Sequence, residues 1–192
     1  MGIYLNQGNE GFQIALRSEI YIDKSELIAH TNKLIGTEQR YLCVSRPRRF
    51  GKSMAANMLK AYYGKGYDSK PLFLPLKIAE ASSFEEHLNQ YDVIHLDIQG
   101  ILAWANGFGN LISYLEKDVI EELRRVYGDL FPQAETSLSK VVNTIYESKD
   151  YTGKGFIFIV DEWDCIFREA KGNKEAQRKR RLSPISKSGK SL

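Results

Sequence analysis

The sequence predicts an α/β domain built on a parallel sheet. Three short hydrophobic segments have the character of buried strands, at residues 40–45, 91–98 and 155–161. Amphipathic helices and long connections separate these segments, and strands that alternate with helices are typical of a parallel sheet. The third segment is apolar on both faces, as expected of a strand that lies between two helical layers.

The helices are predicted in chain order from their caps and their hydrophobic spacing. The first is predicted over residues 23–35, where Asp23 and Glu26 have the spacing of a capping box. A helix over 108–127 is strongly amphipathic, with leucine and valine on one face and charged residues away from it. The others are predicted over 51–63, after Ser83, over 138–146 and from about Asn173.

Charge divides the chain into an acidic body and a basic end. The 192 residues carry a net charge of +3, but the last fifteen hold six Lys or Arg and no acid. The rest has 21 Lys and Arg against 24 Asp and Glu. We therefore expect a folded domain over residues 1–177 and a basic, disordered tail over residues 178–192. Contact with nucleic acid through this tail is an alternative that the charge of the body does not support.

Several classes of protein are excluded by composition. Cys43 and Cys165 are too few for a disulfide framework or a zinc site, and free thiols fit a reducing cytoplasm. The N-terminus lacks the basic and apolar regions of a signal peptide. No apolar run approaches the roughly 20 residues of a spanning helix. We expect a cytoplasmic protein without membrane contact.

A candidate phosphate-binding loop follows the first predicted strand and precedes a helix. Its residues are Arg46, Pro47, Arg48, Arg49, Phe50, Gly51, Lys52 and Ser53. Strand, Gly-Lys-Ser and helix form the context that such a loop requires, although Arg46 stands where the usual pattern has glycine. Backbone N–H groups would bind the phosphates of a nucleotide. Lys52 would reach the β- and γ-phosphates and assist catalysis, and the Ser53 hydroxyl would coordinate Mg²⁺.

Two acids follow the third predicted strand, at Asp161 and Glu162. Ligands of α/β folds bind at the carboxyl ends of parallel strands. Asp161 would hold Mg²⁺ through its water shell, and Glu162 would act as the general base. The Gly-Lys-Ser tripeptide alone is weak evidence, because it occurs again at Gly189-Lys190-Ser191 without a strand before it or a helix after it. The acidic pair therefore strengthens the prediction for Lys52.

Three blocks of the sequence together suggest a family. They are Tyr21-Ile22-Asp23-Lys24-Ser25, the loop over residues 45–53, and Ile159-Val160-Asp161-Glu162-Trp163-Asp164. Over about residues 10–177 the chain resembles the AAA-ATPase-like domain proteins of bacteria and archaea, in which the arginine-rich loop is a variant. The resemblance implies a three-layer P-loop NTPase sandwich of the additional-strand type, with ATP and Mg²⁺ as cofactors. Its members often resemble fusions to a C-terminal nuclease-like domain.

The resemblance also implies strand order 5-1-4-3-2, with two core strands beyond the third predicted one. We therefore expect a truncated or frameshifted member whose sheet is incomplete at its C-terminal end. The expected function is ATP binding, by a domain of an ATPase that hydrolyses ATP to regulate an attached effector. That effector would be a protein or the missing nuclease-like domain. The alternatives are a nonhydrolysing, nucleotide-dependent interaction module and a nucleic-acid-associated protein acting through its tail.

Overall fold

The computed structural model describes residues 2–45, 47, 50–105, 107–131 and 137–167. Along these residues five α-helices precede the first strand and three lie between the two strands, and short 3₁₀ turns lie at Lys77–Glu80, Phe108–Asn110 and Gly128–Leu130. The elements are α1 Glu10–Leu16, α2 Glu26–Asn32, α3 Lys52–Tyr63, α4 Lys70–Phe73, α5 Phe84–His87, β1 Asp92–Asp97, α6 Ile98–Trp104, α7 Leu111–Tyr127, α8 Leu138–Glu147 and β2 Phe156–Asp161.

β1 and β2 form a parallel pair in uninterrupted register, from Asp92 opposite Phe156 to Asp97 opposite Asp161. The N-terminal segment covers the other edge of β1. There, Leu5 pairs antiparallel with Ile94. β1 therefore has hydrogen-bonded partners along both edges, β2 on one side and the N-terminal segment on the other.

Helices pack on both faces of this sheet. Successive side chains of a strand point to opposite faces, and Val93 and Ile94 accordingly enter two different cores, both fully buried. Val93 faces a core built largely from α1 to α5, whose largest buried members are Phe12, Ile28, Met58, Tyr62, Tyr63 and Phe73. Ile94 faces a core that includes Ile98, Leu102, Val119, Leu123, Val141 and Ile145 from α6 to α8. The predicted α/β class agrees with this arrangement, while two strands do not by themselves establish a P-loop sandwich.

The strand predicted over residues 40–45 is wrong. Those residues form no ladder, and the side chains of Tyr41 and Val44 are 82% and 41% exposed. A strand is stable only when its backbone groups pair with a neighbour, and the described residues provide no such neighbour here. The expectation that both faces of the third strand are buried is also wrong in part, because Phe158 and Val160 of β2 are 44% and 46% exposed.

Among the described residues, neither the predicted capping box of Asp23 and Glu26 nor a side-chain cap at Ser83 is formed. α2 begins at Glu26, and the Asp23 carboxylate instead accepts hydrogen bonds from the backbone N–H groups of Ser25, at 2.8 Å, and Lys77, at 2.9 Å. α5 begins after Ser83 as predicted, but the Ser83 hydroxyl makes no cap bond and accepts from the Asn32 amide at 3.0 Å. Both side chains tie distant segments together in place of capping a helix.

The other helix predictions differ in outcome. α3, α7 and α8 confirm the helices predicted over 51–63, 108–127 and 138–146, with α7 itself starting at Leu111. α1 and α6 are additional helices that the sequence pattern did not predict. The helix expected from about Asn173 and the tail over 178–192 lie outside the described residues. Within the described part of the chain, no helix has both the length and the apolar character needed to cross a membrane.

Candidate functional site

The N-terminus of α3 has the character of an anion site. Gly51 is its N-cap, with φ at +77°, a left-handed conformation that favours glycine. No side chain of the described residues caps the helix, and its first turn contains no acid. The backbone N–H groups of the first turn and the positive end of the helix dipole are thus available to an anion.

The direction of α3 brings this N-terminus toward the carboxyl edge of the sheet. Gly64, which follows α3, forms a parallel bridge with Tyr91, immediately before β1. The C-terminus of α3 therefore lies at the amino end of the strands, and the helix packs against both of them. A helix of twelve residues and a strand of six both span about 20 Å. Lys52 consequently lies toward the end of the sheet where the strands terminate.

Two carboxylates occupy that edge. Asp97 and Asp161 are partners at the last register position of β1 and β2. Asp97 caps α6, because its Oδ1 accepts from the N–H groups of Gln99 at 3.1 Å and Gly100 at 3.2 Å. Asp161 Oδ1 accepts from the N–H of Glu162 at 2.9 Å. Glu162 has a φ of +50°, unusual for a residue with a side chain, and the chain turns sharply directly after β2.

Most of the predicted site residues that the structure describes lie in two groups, one at the start of α3 and one at the end of β2. Gly51, Lys52 and Ser53 lie together at the start of α3, where Lys52 is half-buried and Ser53 is exposed. Asp161 and Glu162 lie together at the end of β2, on an element that packs against α3. Pro47 and Phe50 of the loop are exposed, and Arg46, Arg48 and Arg49 lie outside the described residues.

Lys24 is a neighbour of the loop that the sequence reasoning did not assign to the site. Its ammonium group donates to the backbone carbonyl of Phe50 at 3.3 Å, beside the left-handed Gly51. The contact joins the block over residues 21–25 to the loop. Lys24 lies in one of the three blocks that carry the family resemblance, which was a signal in the sequence. No local pattern, however, indicates that residues 21–25 contact the loop.

A polar chain beneath the carboxylates was also missed. The Lys60 ammonium of α3 donates to Gln7 Oε1 at 2.9 Å, and His95 Nδ1 lies 2.9 Å from the same oxygen. Burial lowers the pKa of His95, and Lys60 lowers it further, while Asp161 and Asp97 act in the opposite direction. The pKa of Lys60 is lowered by burial. The strand position of His95 fixes it on the same face as Asp97, two residues earlier.

A complete protein-only metal site is not present in the described part of the chain. No group of three His, Cys, Asp or Glu side chains there could hold an ion. Mg²⁺ is usually held by one or two carboxylates together with water and substrate phosphates. The carboxylate of Asp161 and the hydroxyl of Ser53 are donors of the type that Mg²⁺ bound to a nucleotide would use.

The comparisons with known proteins give one match. A family model described as "Predicted AAA-ATPase" matches residues 9–186. No curated protein and no solved structure matches the chain.

Proposed function

Because the chain belongs to the predicted AAA-ATPase family, we propose that it binds ATP together with Mg²⁺ between the N-terminus of α3 and the carboxyl edge of β2. The observation that carries the proposal is the uncapped start of α3, which begins at a left-handed Gly51 and contains no acid in its first turn. Phosphate oxygens would accept hydrogen bonds from these N–H groups and from Lys52. Residues 46–50 would complete the loop, and Lys24 adds a cation beside it.

The donor set suits Mg²⁺ bound to nucleotide phosphates. The Ser53 hydroxyl would be a direct ligand, and Asp161 would hold the ion through its water shell. When bound, Mg²⁺ neutralises phosphate charge and orients the phosphates. The N–H of Glu162 donates to Asp161 Oδ1 at 2.9 Å, and this bond supports the proposed role by holding the carboxylate in one orientation.

The resemblance to the family supports more specific proposals about residue roles, the complete fold and the effector. Glu162 would position the attacking water and accept its proton, with Lys52 stabilising charge on the phosphates. The complete domain would be a P-loop sandwich of the additional-strand type, in which β1 is the additional strand and β2 the strand with the acidic pair. It would act in the cytoplasm, coupling ATP hydrolysis to an effector protein or an attached nuclease-like domain.

Substitution of Lys52 tests nucleotide binding. We expect Lys52→Ala to abolish binding of a fluorescent ATP analogue in the presence of Mg²⁺, because the ammonium group that contacts the phosphates is lost. The chain supplies a matched control in Lys190→Ala, which alters the second Gly-Lys-Ser tripeptide and should leave the affinity unchanged. Equal affinity in the wild-type protein and Lys52→Ala would refute the proposal.

A further inference from the structure

The hydrogen bonds around Gln7 determine which nitrogen of His95 carries its proton. A lysine ammonium can only donate, so the Gln7 atom that lies 2.9 Å from Lys60 Nζ must be oxygen. The amide nitrogen of Gln7 faces the backbone carbonyls of Ile3 and His95, which agrees with this orientation. Because His95 Nδ1 lies 2.9 Å from the same oxygen, Nδ1 must be the protonated nitrogen.

The other ring nitrogen then lacks a partner. His95 Nε2 is buried and has no hydrogen-bond partner among the described residues. A charged ring would bury an N–H donor at Nε2 with no acceptor among the described residues, which disfavours the charged form, and burial also lowers the pKa of His95. With its proton on Nδ1, a neutral ring presents Nε2 as an acceptor. Buried polar atoms nearly always have a partner, so this acceptor requires a donor.

The chemistry of the neighbouring carboxylates limits what that donor is. His95 lies opposite Ile159, and the next positions on the same face are Asp97 and Asp161. Both carboxylates interact electrostatically with the His95 ring, yet an ionised carboxylate can only accept. Each already uses Oδ1 for backbone N–H groups, so Oδ2 can accept from another donor. A water that donates to His95 Nε2 and to a carboxylate oxygen satisfies both acceptors.

We propose that His95 is a positioning residue for Asp161. Gln7 and Lys60 hold it as the Nδ1–H tautomer, and its Nε2 accepts from a water that also donates to the Asp161 carboxylate. This water fixes the orientation in which Asp161 receives the water shell of Mg²⁺. The tautomer is independent of nucleotide binding, whereas the effect on Mg²⁺ rests on the proposed function.

The first experiment is a long-range ¹H–¹⁵N correlation spectrum of the nucleotide-free protein at pH 7.5, which distinguishes the two tautomers. His95 is assigned by the signal lost in His95→Gln. We expect a protonated Nδ1 in the wild-type protein and a loss of this preference in Gln7→Leu, with the exposed Gln39→Leu as control. A protonated Nε2 in the wild-type protein would overturn the proposal.

The second experiment measures how nucleotide binding depends on Mg²⁺. Outer-shell partners of metal ligands are worth about 10- to 100-fold in metal affinity, and a residue that acts through a water and Asp161 falls at the lower end of this range. We therefore expect His95→Phe, which lacks an acceptor, to need about tenfold more Mg²⁺ for half-maximal binding. His95→Gln retains an acceptor and should recover most of the loss, while nucleotide affinity without Mg²⁺ stays unchanged. An unchanged Mg²⁺ requirement in His95→Phe would contradict the role given to His95.

A third measurement separates the two proposals. If the wild-type protein binds no nucleotide, the proposed function fails, and the spectrum of Asp161→Asn then decides the role of His95. A shifted Nε2 signal of His95 in Asp161→Asn, absent from Asp164→Asn, supports the bridge between His95 and Asp161. An unmoved signal overturns it.

Discussion

Asp161 and Glu162 are adjacent in sequence, but the backbone gives their side chains different surroundings. Asp161 is the last residue of β2 and stands in register with Asp97, whereas Glu162 occupies a left-handed turn directly after the strand. A carboxylate at a sharp turn beyond the strand end can reach past the edge of the sheet. The proposed division of labour, with one acid for the ion and one for the water, follows from this difference.

Glu162→Gln should separate binding from hydrolysis. The amide keeps the size of the side chain but cannot accept a proton, so we expect nucleotide affinity within about twofold of wild type and turnover lower by about 100-fold or more. Phosphate release and fluorescence titration on the same sample check both quantities. Unchanged turnover would remove Glu162 from this role, and absence of turnover in the wild-type protein would favour the nonhydrolysing alternative.

Lys24→Met should weaken nucleotide binding moderately. The substitution removes the ammonium group that lies beside Gly51 and donates to the Phe50 carbonyl. Because Lys24 is exposed, solvent screens its charge, and we expect a loss of about two- to fivefold in affinity. Lys33→Met, at an exposed lysine just after α2, is the matched control. Equal losses in the two variants would show a general charge effect and no specific contribution from Lys24.

His87 makes stability depend on pH near neutrality. Its ring is buried, with Nδ1 at 2.7 Å from the Tyr91 hydroxyl, and burial lowers its pKa although Glu86 raises it and Lys154 lowers it further. The folded state therefore resists protonation more than the unfolded state does. The contribution of His87 to the free energy of unfolding is therefore fully present above the pKa that the ring has in the unfolded state, and it is lost as the pH falls below that value.

Urea unfolding at pH 7.5 and pH 5.5 tests this dependence. The wild-type protein should lose stability at the lower pH, and His87→Phe, which can still stack on Tyr91, should lose less. A larger loss in His87→Phe than in wild type would contradict the assignment. The lowered pKa of His95 acts in the same direction, so some dependence on pH should remain in the variant.

At the scale of elements, local periodicity predicted the long helices and failed where neighbours decide the structure. α3, α7 and α8 have repeating apolar positions and confirmed boundaries near those expected. The segment over residues 40–45 has the composition of a strand, but a strand also needs a pairing partner. Asp97 caps α6, but the sequence prediction placed this residue inside the strand over residues 91–98, because a single acid fits both a strand end and a helix cap.

The N-terminal segment is an element that only long-range contacts define. Its antiparallel pairing with β1 places Gln7 beside His95, about ninety residues away in the chain. Glu122 of α7 fixes the segment, because its buried carboxylate accepts from the N–H groups of Tyr4 at 2.9 Å and Leu5 at 3.1 Å. No local pattern in residues 2–9 predicts either contact.

Glu122→Ala should destabilise the fold by about 2–3 kcal/mol, because the buried N–H of Leu5 and the partly buried N–H of Tyr4 lose their carboxylate acceptor. The adjacent residue offers a matched control. Glu121 is exposed and pairs with Arg125 one turn later, so Glu121→Ala should cost no more than about 0.5 kcal/mol. Denaturant unfolding of both variants gives the comparison, and similar losses would show that Glu122 does not anchor the segment.

At the scale of the molecule, the α/β class was predictable and the completeness of burial was not. The alternation of strands and helices predicted a parallel sheet with three strand segments, of which β1 and β2 form a parallel pair with a core on each face. Phe158 and Val160 are apolar and yet remain half exposed, while Ile94 and Leu96 on β1 are buried. Burial of a strand depends on what covers it, and its own composition does not contain that information.

For the candidate site, as for the fold, local sequence motifs were predictable and tertiary contacts were not. The residues predicted for it came from short contiguous motifs at the start of α3 and the end of β2. Lys24, His95 and Gln7 belong to other segments and reach the site only through tertiary contacts. Motif chemistry could therefore predict the residues proposed to contact nucleotide, whereas the residues that support them required the structure.

The position of the nucleotide is the central claim, and hydrogen–deuterium exchange with and without Mg²⁺-ATP tests it most directly. We expect slower exchange in a peptide covering residues 50–58, because phosphate oxygens would accept from the first N–H groups of α3. A peptide from the middle of α7 should not change, and Lys52→Ala should lose the protection. Equal exchange at residues 50–58 with and without Mg²⁺-ATP, or the same protection in Lys52→Ala, would contradict the proposed site.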